Sequence, residues 1–272
     1  MSLLEQVKKP VSKPPMITIV GSAGVGKTSL AGLFPDSLFV SLEDGTTVFE
    51  SWNDDVKPQI LDLSQSKSIQ SDLLALVKEL GTSEHNFKTV VFDSITTLNL
   101  MLELEMCKEQ GVADVASAHG GYFRGFSVIA DQHKKFIGWC DHLRKVKNMA
   151  VVFLSHVEIE KIKNSPEESS EYAVFAIGMY KKSSAMYRNF CDGVYYLTKE
   201  KFIVGAETNR KTGATTKFGR ATETGKRILV TNGDGKTGYI DCKDRYGLPS
   251  EIEVEHGTNP LLTHIKFFNS QA

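Results

Sequence analysis

Short apolar runs recur along the first two thirds of the chain, each stopping at a glycine or a polar residue. They are Met16–Val20, Ser37–Leu42, Lys88–Asp93 and Met149–His156. Runs of four to eight apolar residues at this spacing read as buried strands. The stretches between them carry a helical period. From Ser68 to Leu80, the residues Ile69, Leu73, Leu76, Val77 and Leu80 share one helical face, with Ser68 or Ser71 available as a cap. Ile95 to Gln110 reads as a second helix rich in Leu and Met, and Gly111 to Gly121 as a loop. Tyr122 to Lys147 reads as a long helix interrupted near Gly138. Strands alternating with helices of this length predict βαβ units, hence an α/β fold with a mostly parallel central sheet flanked by helices.

The rhythm changes after Cys191-Asp192-Gly193. Val194–Thr198, Lys201–Ala206, Thr216–Ala221, Arg227–Thr231 and Thr237–Cys242 are short β-like runs separated by turns such as Lys211-Thr212-Gly213 and Asn232-Gly233-Asp234-Gly235. Turns of this composition predict antiparallel hairpins extending the sheet edge. Lys199 to Gly247 holds eleven Lys or Arg against six Asp or Glu. Such a surface faces DNA or another subunit, or is an ordinary edge guarded by lysines.

Three regions follow: an arm over 1–15 with Lys8, Lys9 and Lys13 among prolines, a core over 16–249 including the hairpins of 199–247, and a tail over 250–272. Glu251, Glu253 and Glu255 give the tail two readings, a cover for the sheet or an acidic regulator of access. With 272 residues, 41% of them hydrophobic, the chain can bury one substantial core. A net charge of −1 gives no global attraction to polyanions, so nucleic-acid affinity would need a local basic stripe. Widely spaced cysteines and the lack of any apolar stretch near the ~20 residues of a membrane span predict a cytoplasmic protein with no membrane partner.

The chemistry lies in Gly21-Ser22-Ala23-Gly24-Val25-Gly26-Lys27-Thr28, a complete phosphate-binding loop between an apolar strand and the helical Ser29-Leu30-Ala31. Its backbone N–H groups would wrap phosphates, Lys27 would reach the β and γ phosphates, and Thr28 would hold Mg²⁺. Gly21, Gly24 and Gly26 let the backbone come close; Ser22, Ala23, Val25 and Ser29 complete the nucleotide-binding set. Asp93, ending the run Lys88–Asp93, is the second metal-orienting residue. Ser94 follows it where a catalytic glutamate stands in the AAA+ and ABC classes, so the base must come from elsewhere. Glu43-Asp44 stands at the carboxyl end of Ser37–Leu42, the edge where α/β sheets collect ligands. Glu43 is the candidate base for the attacking water, with Asp44 the weaker alternative.

A phosphate loop, a Glu ending the next strand, and an apolar strand ending Asp-Ser together resemble the RecA/RadA branch of P-loop ATPases. His156, ending Met149–His156, stands where that branch places a γ-phosphate sensor. Lys243-Asp244-Arg245-Tyr246-Gly247 looks like the Lys-Asn-Arg-Phe-Gly signature of RadA proteins, with Asp for Asn and Tyr for Phe. Cys107, Cys140, Cys191 and Cys242 are isolated and form no zinc module. The resemblance is therefore to a bare RecA-like ATPase core of the phage-encoded kind, acting in single-strand annealing, recombination or repair.

That resemblance implies ATP and Mg²⁺ as cofactors, hydrolysis stimulated by DNA, and single-stranded DNA as partner. It also implies self-association into a ring or filament, a single-strand binding protein as accessory, and a host cytoplasmic location. Lys243 and Arg245 would reach a neighbouring subunit's nucleotide or DNA. The segment between His156 and Phe190 would be a mobile DNA-contacting loop. Its first half, with Glu158, Glu160 and Glu171, suits DNA poorly, which points to Lys181, Lys182 and Arg188 as the contacts. Two other classes share the loop: an ATPase acting on protein partners, such as a helicase loader or a KaiC-like regulator, and a small-molecule kinase or GTPase. The last lacks an Asn-Lys-x-Asp motif and an arginine-rich lid. Adenine specificity rests on the resemblance alone, as no residue in the string marks a base pocket.

Overall fold

Strand β1 (Met16–Gly21) enters the phosphate loop, which leads into the short helix α1 (Lys27–Gly32) and then β2 (Ser37–Ser41) and β3 (Gln59–Asp62). Helix α2 (Ile69–Thr82), β4 (Thr89–Asp93), α3 (Ile95–Gln110) and α4 (Arg124–Val146) follow. Next come β5 (Ala150–Ile162), β6 (Tyr172–Ile177), α5 (Lys181–Phe190) and β7 (Gly193–Val204). The chain closes with the short pair β8 (Glu207–Thr208) and β9 (Thr215–Lys217), then β10 (Arg220–Val230), β11 (Glu251–Val254), α6 (Leu261–His264) and α7 (Lys266–Asn269). The computed structural model describes residues 3–7, 11–163, 171–205, 207–208, 215–217, 219–232 and 240–269.

The main sheet runs β11-β10-β7-β1-β5-β4-β2-β3, with β6 paired to β5. From β7 to β3 every neighbour is parallel; β10, β11 and β6 are antiparallel additions. This is the expected α/β class. Register places functional ends together, because Gly21 lies opposite His156 and Ser41 opposite Asp93.

Both faces of the parallel core are covered, which explains why its strands read as continuous apolar runs. Val90, Phe92, Val151 and Phe153 point to a cluster shared with α2, α3 and α4. Val91, Val152 and Leu154 point the other way, to a cluster holding Leu30 and Phe34 beside α1 and Leu261, Phe267 and Phe268 at the C-terminal end. Phe92, Phe136 and Phe153 pack ring against ring with centroids 4.9–5.8 Å apart. Buried rings of this kind contribute about 3–5 kcal/mol each against alanine.

Four expectations change. Helix α4 runs through Gly138 without a break; that residue is exposed, and a helix tolerates one glycine at a cost of about 1 kcal/mol. The segment after His156, expected as a mobile loop, is instead the hairpin β5–β6 followed by α5: Val157 to Ile162 pairs with Tyr172 to Ile177. The runs Val194–Thr198 and Lys201–Ala206 join in one strand, β7, which ends at Val204, because Lys199 pairs with Arg227 and Lys201 with Glu223 across a register shift in β10; Ala206 lies outside the described residues. The tail joins the core: β11 pairs with β10, and Phe268 lies against Phe34 at 5.3 Å, so the covering reading holds for 251–269. Most of the arm's basic residues (Lys8, Lys9), the Lys211-Thr212-Gly213 and Gly233–Gly235 turns and much of Thr237–Cys242 lie outside the described residues. Among the described residues no helix is long and apolar enough to cross a membrane.

Candidate functional site

The parallel strands deliver their carboxyl ends to one edge, and the charged residues there converge. Gly24 and Gly26 have φ of +71° and +97°, values that side chains rarely allow, so these two glycines make the tight loop possible. Lys27 folds along the loop: its Nζ donates to the carbonyls of Gly21 (2.9 Å) and Ser22 (3.1 Å). Only 6% of Lys27 is exposed, and burial lowers its pKa against the raising pull of Asp93 and Glu43. Thr28 Oγ1 donates to Asp93 Oδ2 at 2.7 Å across 65 residues of sequence. Burial pushes the Asp93 carboxyl up to about 6, with the Thr28 hydrogen bond pulling the other way and the charge of Glu43 adding to the rise.

Glu43 comes to this edge just beyond β2, one residue past Leu42, whose N–H donates to the Asp93 carbonyl. Its carboxylate is fixed by three donors. His156 Nε2 lies 3.2 Å from Oε1 and must carry the proton to face a carboxylate; Ser94 Oγ donates to Oε2 at 2.9 Å; Thr97 Oγ1 donates to the same oxygen. The His156 hydrogen bond, opposed by burial and helped by Thr97 and Ser94, holds the Glu43 carboxyl down at about 2. A carboxylate with so low a pKa stays ionised and orients a water rather than competing strongly for its proton. Asp44 is exposed.

Sequence reasoning missed the hydroxyls that hold this arrangement. Ser94, read there only as the absence of a glutamate, caps α3 by accepting from the Thr97 N–H and donates to the Glu43 carboxylate. Thr96 Oγ1 accepts from the His156 N–H (3.0 Å) and meets Ser155 Oγ, tying β5 to the start of α3. The signal was available in Asp93-Ser94-Ile95-Thr96-Thr97, a hydroxyl cluster directly after a strand-ending acid.

The residues expected to touch DNA or a neighbour lie elsewhere and are engaged within the chain. Lys181 pairs with Glu160, Lys182 Nζ donates to Ser127 Oγ at 2.9 Å, and Arg188 pairs with Asp241. Lys243 Nζ donates to the carbonyls of Arg188, Asn189 and Cys191 at 2.7–3.1 Å, closing the end of α5. Arg245 pairs with Asp192 at 3.4 Å and is about half exposed. Lys243 pairs with Val194 near the start of β7, so both residues stand at the sheet edge opposite this chain's own phosphate loop.

Among solved structures, the crystal structure of the RadB recombinase is similar at 17% identity over 80% of each chain, with a TM-score of 0.43. No curated protein matches. A family model described as an AAA domain matches residues 13–244, although Ser94 had separated the chain from AAA+ proteins in sequence. A match over most of the chain, on a sheet whose edge gathers Lys27, Thr28, Asp93 and Glu43, places this protein in the AAA_24 family of AAA domains.

Proposed function

We propose that the protein is an ATP-hydrolysing, RecA/RadA-like P-loop enzyme that acts on single-stranded DNA in phage-type annealing, recombination or repair. The observation that carries the reading is the division of labour between strands. Thr28 and Asp93 bring two hard oxygens within 2.7 Å, a donor set suited to Mg²⁺ with its remaining positions filled by water and phosphate. Glu43 stands apart on another strand, ionised and held by His156. Metal-orienting and water-orienting carboxylates are thus separate groups, as phosphoryl transfer to water requires. In this reading Lys27 neutralises phosphate charge, Glu43 aligns the water, and His156 links the γ-phosphate position to β5. Thr28 and Asp93 would hold Mg²⁺, which would offset the charge of the phosphates. Self-association would bring Lys243 and Arg245 of one copy toward the next, and a single-strand binding protein is a natural accessory.

A second reading is favoured by one observation. Two of the cations proposed for DNA are spent in ion pairs, and Glu103 and Glu158, with the Lys181–Glu160 pair, line the cavity of about 540 Å³ beyond Thr96. That surface suits a basic protein segment better than a phosphate backbone. The two readings part in one assay, ATP hydrolysis with and without single-stranded DNA. Stimulation supports the first; an unchanged rate with DNA at saturating concentration leaves an ATPase that acts on protein.

A further inference from the structure

Arg227 has no part in the site as described so far, yet it lies on the phosphate loop. It stands on β10, in register with Lys199 of β7 and Val254 of β11. A Cβ built on Gly26 would fall 2.6 Å from Arg227 Nη1 and 3.8 Å from its Cδ. Gly26 therefore serves twice, as the residue that permits φ +97° and as the one that leaves room for a guanidinium above the loop.

Arg227 is oriented rather than free. Its Nη2 donates to the carbonyl of Glu255 at 3.2 Å, which fixes one arm of the planar fork and leaves Nη1 over Gly26. A carbonyl does not neutralise the guanidinium. The neighbouring Lys27 carries a second cation on the same loop, and its donors face carbonyls as well. Lys27 and Arg227 thus place two cationic donors on one loop of backbone amides, a set suited to a polyanion.

The surrounding space indicates which part of the polyanion meets Arg227. A cavity of about 500 Å³ opens beside Ser29, walled by Leu33, Val48, Trp52 and Val56 on one side and by Arg227 and His256 on the other. Ser29 follows the phosphate loop on α1, so the cavity opens on the helix directly past the loop. Its apolar wall suits the uncharged half of a nucleotide, and Arg227 stands at the junction.

We propose that Arg227 binds the nucleotide within its own chain, its guanidinium pairing with the phosphate nearest the ribose. This rests on the ATP-binding reading above. The position differs in kind from that of Lys27, which serves the far end of the phosphate chain. Removing Arg227 should therefore weaken every phosphorylated form of the nucleoside alike, whereas removing Lys27 should penalise the triphosphate most.

The test is a competition titration of the full chain with a fluorescent ATP analogue, using ATP, ADP and AMP as competitors, on wild type, Lys27→Ala, Arg227→Ala and Arg227→Lys. Arg227→Ala should weaken all three by a similar factor, about 10- to 100-fold, the loss of one charge-assisted contact. Arg227→Lys should recover only part, since a point charge replaces a planar fork. A wild type that binds no nucleotide overturns both the site reading and this one. A wild type that binds, with Lys27→Ala impaired and Arg227→Ala equal to wild type, overturns this one alone. A loss confined to ATP also overturns it. If Arg227→Ala does not fold, Arg227→Gln, which keeps the stem and a donor for Glu255, carries the same outcomes.

Discussion

The edge at the phosphate loop and the surface of β6 and α5 are built from similar residues and use them oppositely. At the loop, charges from four separate strands aim at one small volume: Lys27 beyond β1, Glu43 beyond β2, Asp93 on β4 and His156 on β5. On the other surface each cation already has a partner, Lys181 with Glu160 and Arg188 with Asp241. Opposite charges from distant strands, Lys27 with Asp93 and Glu43 and His156 with Glu43, are gathered around a single volume. Charges paired one to one stabilise the chain weakly and ask for nothing, since exposed pairs are worth about 0–1 kcal/mol.

The largest expected effect sharpens the first half of that contrast. Glu43→Gln should lower kcat by about 10²- to 10⁴-fold while leaving ATP affinity nearly unchanged, and Asp44→Asn should do neither. Single-turnover hydrolysis with parallel binding titration checks this; the reverse pattern would show that the wrong carboxylate was chosen. Lys27→Ala should weaken ATP binding by about 10- to 100-fold, read by the same titration.

His156→Ala should move the acid limb of the pH–rate profile upward. The His156 hydrogen bond is the largest influence holding Glu43 at about 2, so its loss raises the carboxylate toward its ordinary 4.5, with Thr97 and Ser94 still holding it down against burial. An acid limb that stays in place would separate His156 from Glu43.

Stability gives a smaller, buried counterpart. His133 is fully enclosed, with Nδ1 against Tyr187 Oη (2.8 Å) and Nε2 against Asn99 Oδ1 (3.1 Å), and burial lowers its pKa to about 3 from 6.5. A histidine depressed in the folded state stabilises above its unfolded pKa and loses that contribution as pH falls. Between pH 6.5 and 4.5 this costs about 2 kcal/mol. Denaturant titrations of wild type and His133→Gln should show a steeper loss in wild type over that window. Smallest of all, Gly138→Ala should add about 0.5–1 kcal/mol, because a Cβ there meets nothing within 4 Å and α4 is continuous.

The same contrast explains what could be read from the string. The phosphate loop is contiguous, so seven or eight residues in order suffice. Glu43 and Asp93 were legible because each ends an apolar strand, and an α/β sheet brings such ends to one edge. The donors that hold Glu43 were not, since Ser94 and Thr97 gain meaning only when β2 and β4 are neighbours. Arg227 was out of reach for the same reason, two hundred residues from the glycine it covers. The first strand of the hairpin after His156 is legible in Val157-Glu158-Ile159-Glu160, which alternates apolar and polar as a strand should, whereas the family resemblance implies a loop there.

One packing detail bears on how this protein should be handled. Asn259 donates its side-chain amide to the Leu30 carbonyl at 3.3 Å and accepts from the Leu261 N–H, while Phe268 rests on Phe34 just past α1. A shortened version cut at the last signature residue, Gly247, would retain every motif and remove the floor on which α1 sits. Its failure to take up ATP would then be a fault of the cut and not of the catalytic residues.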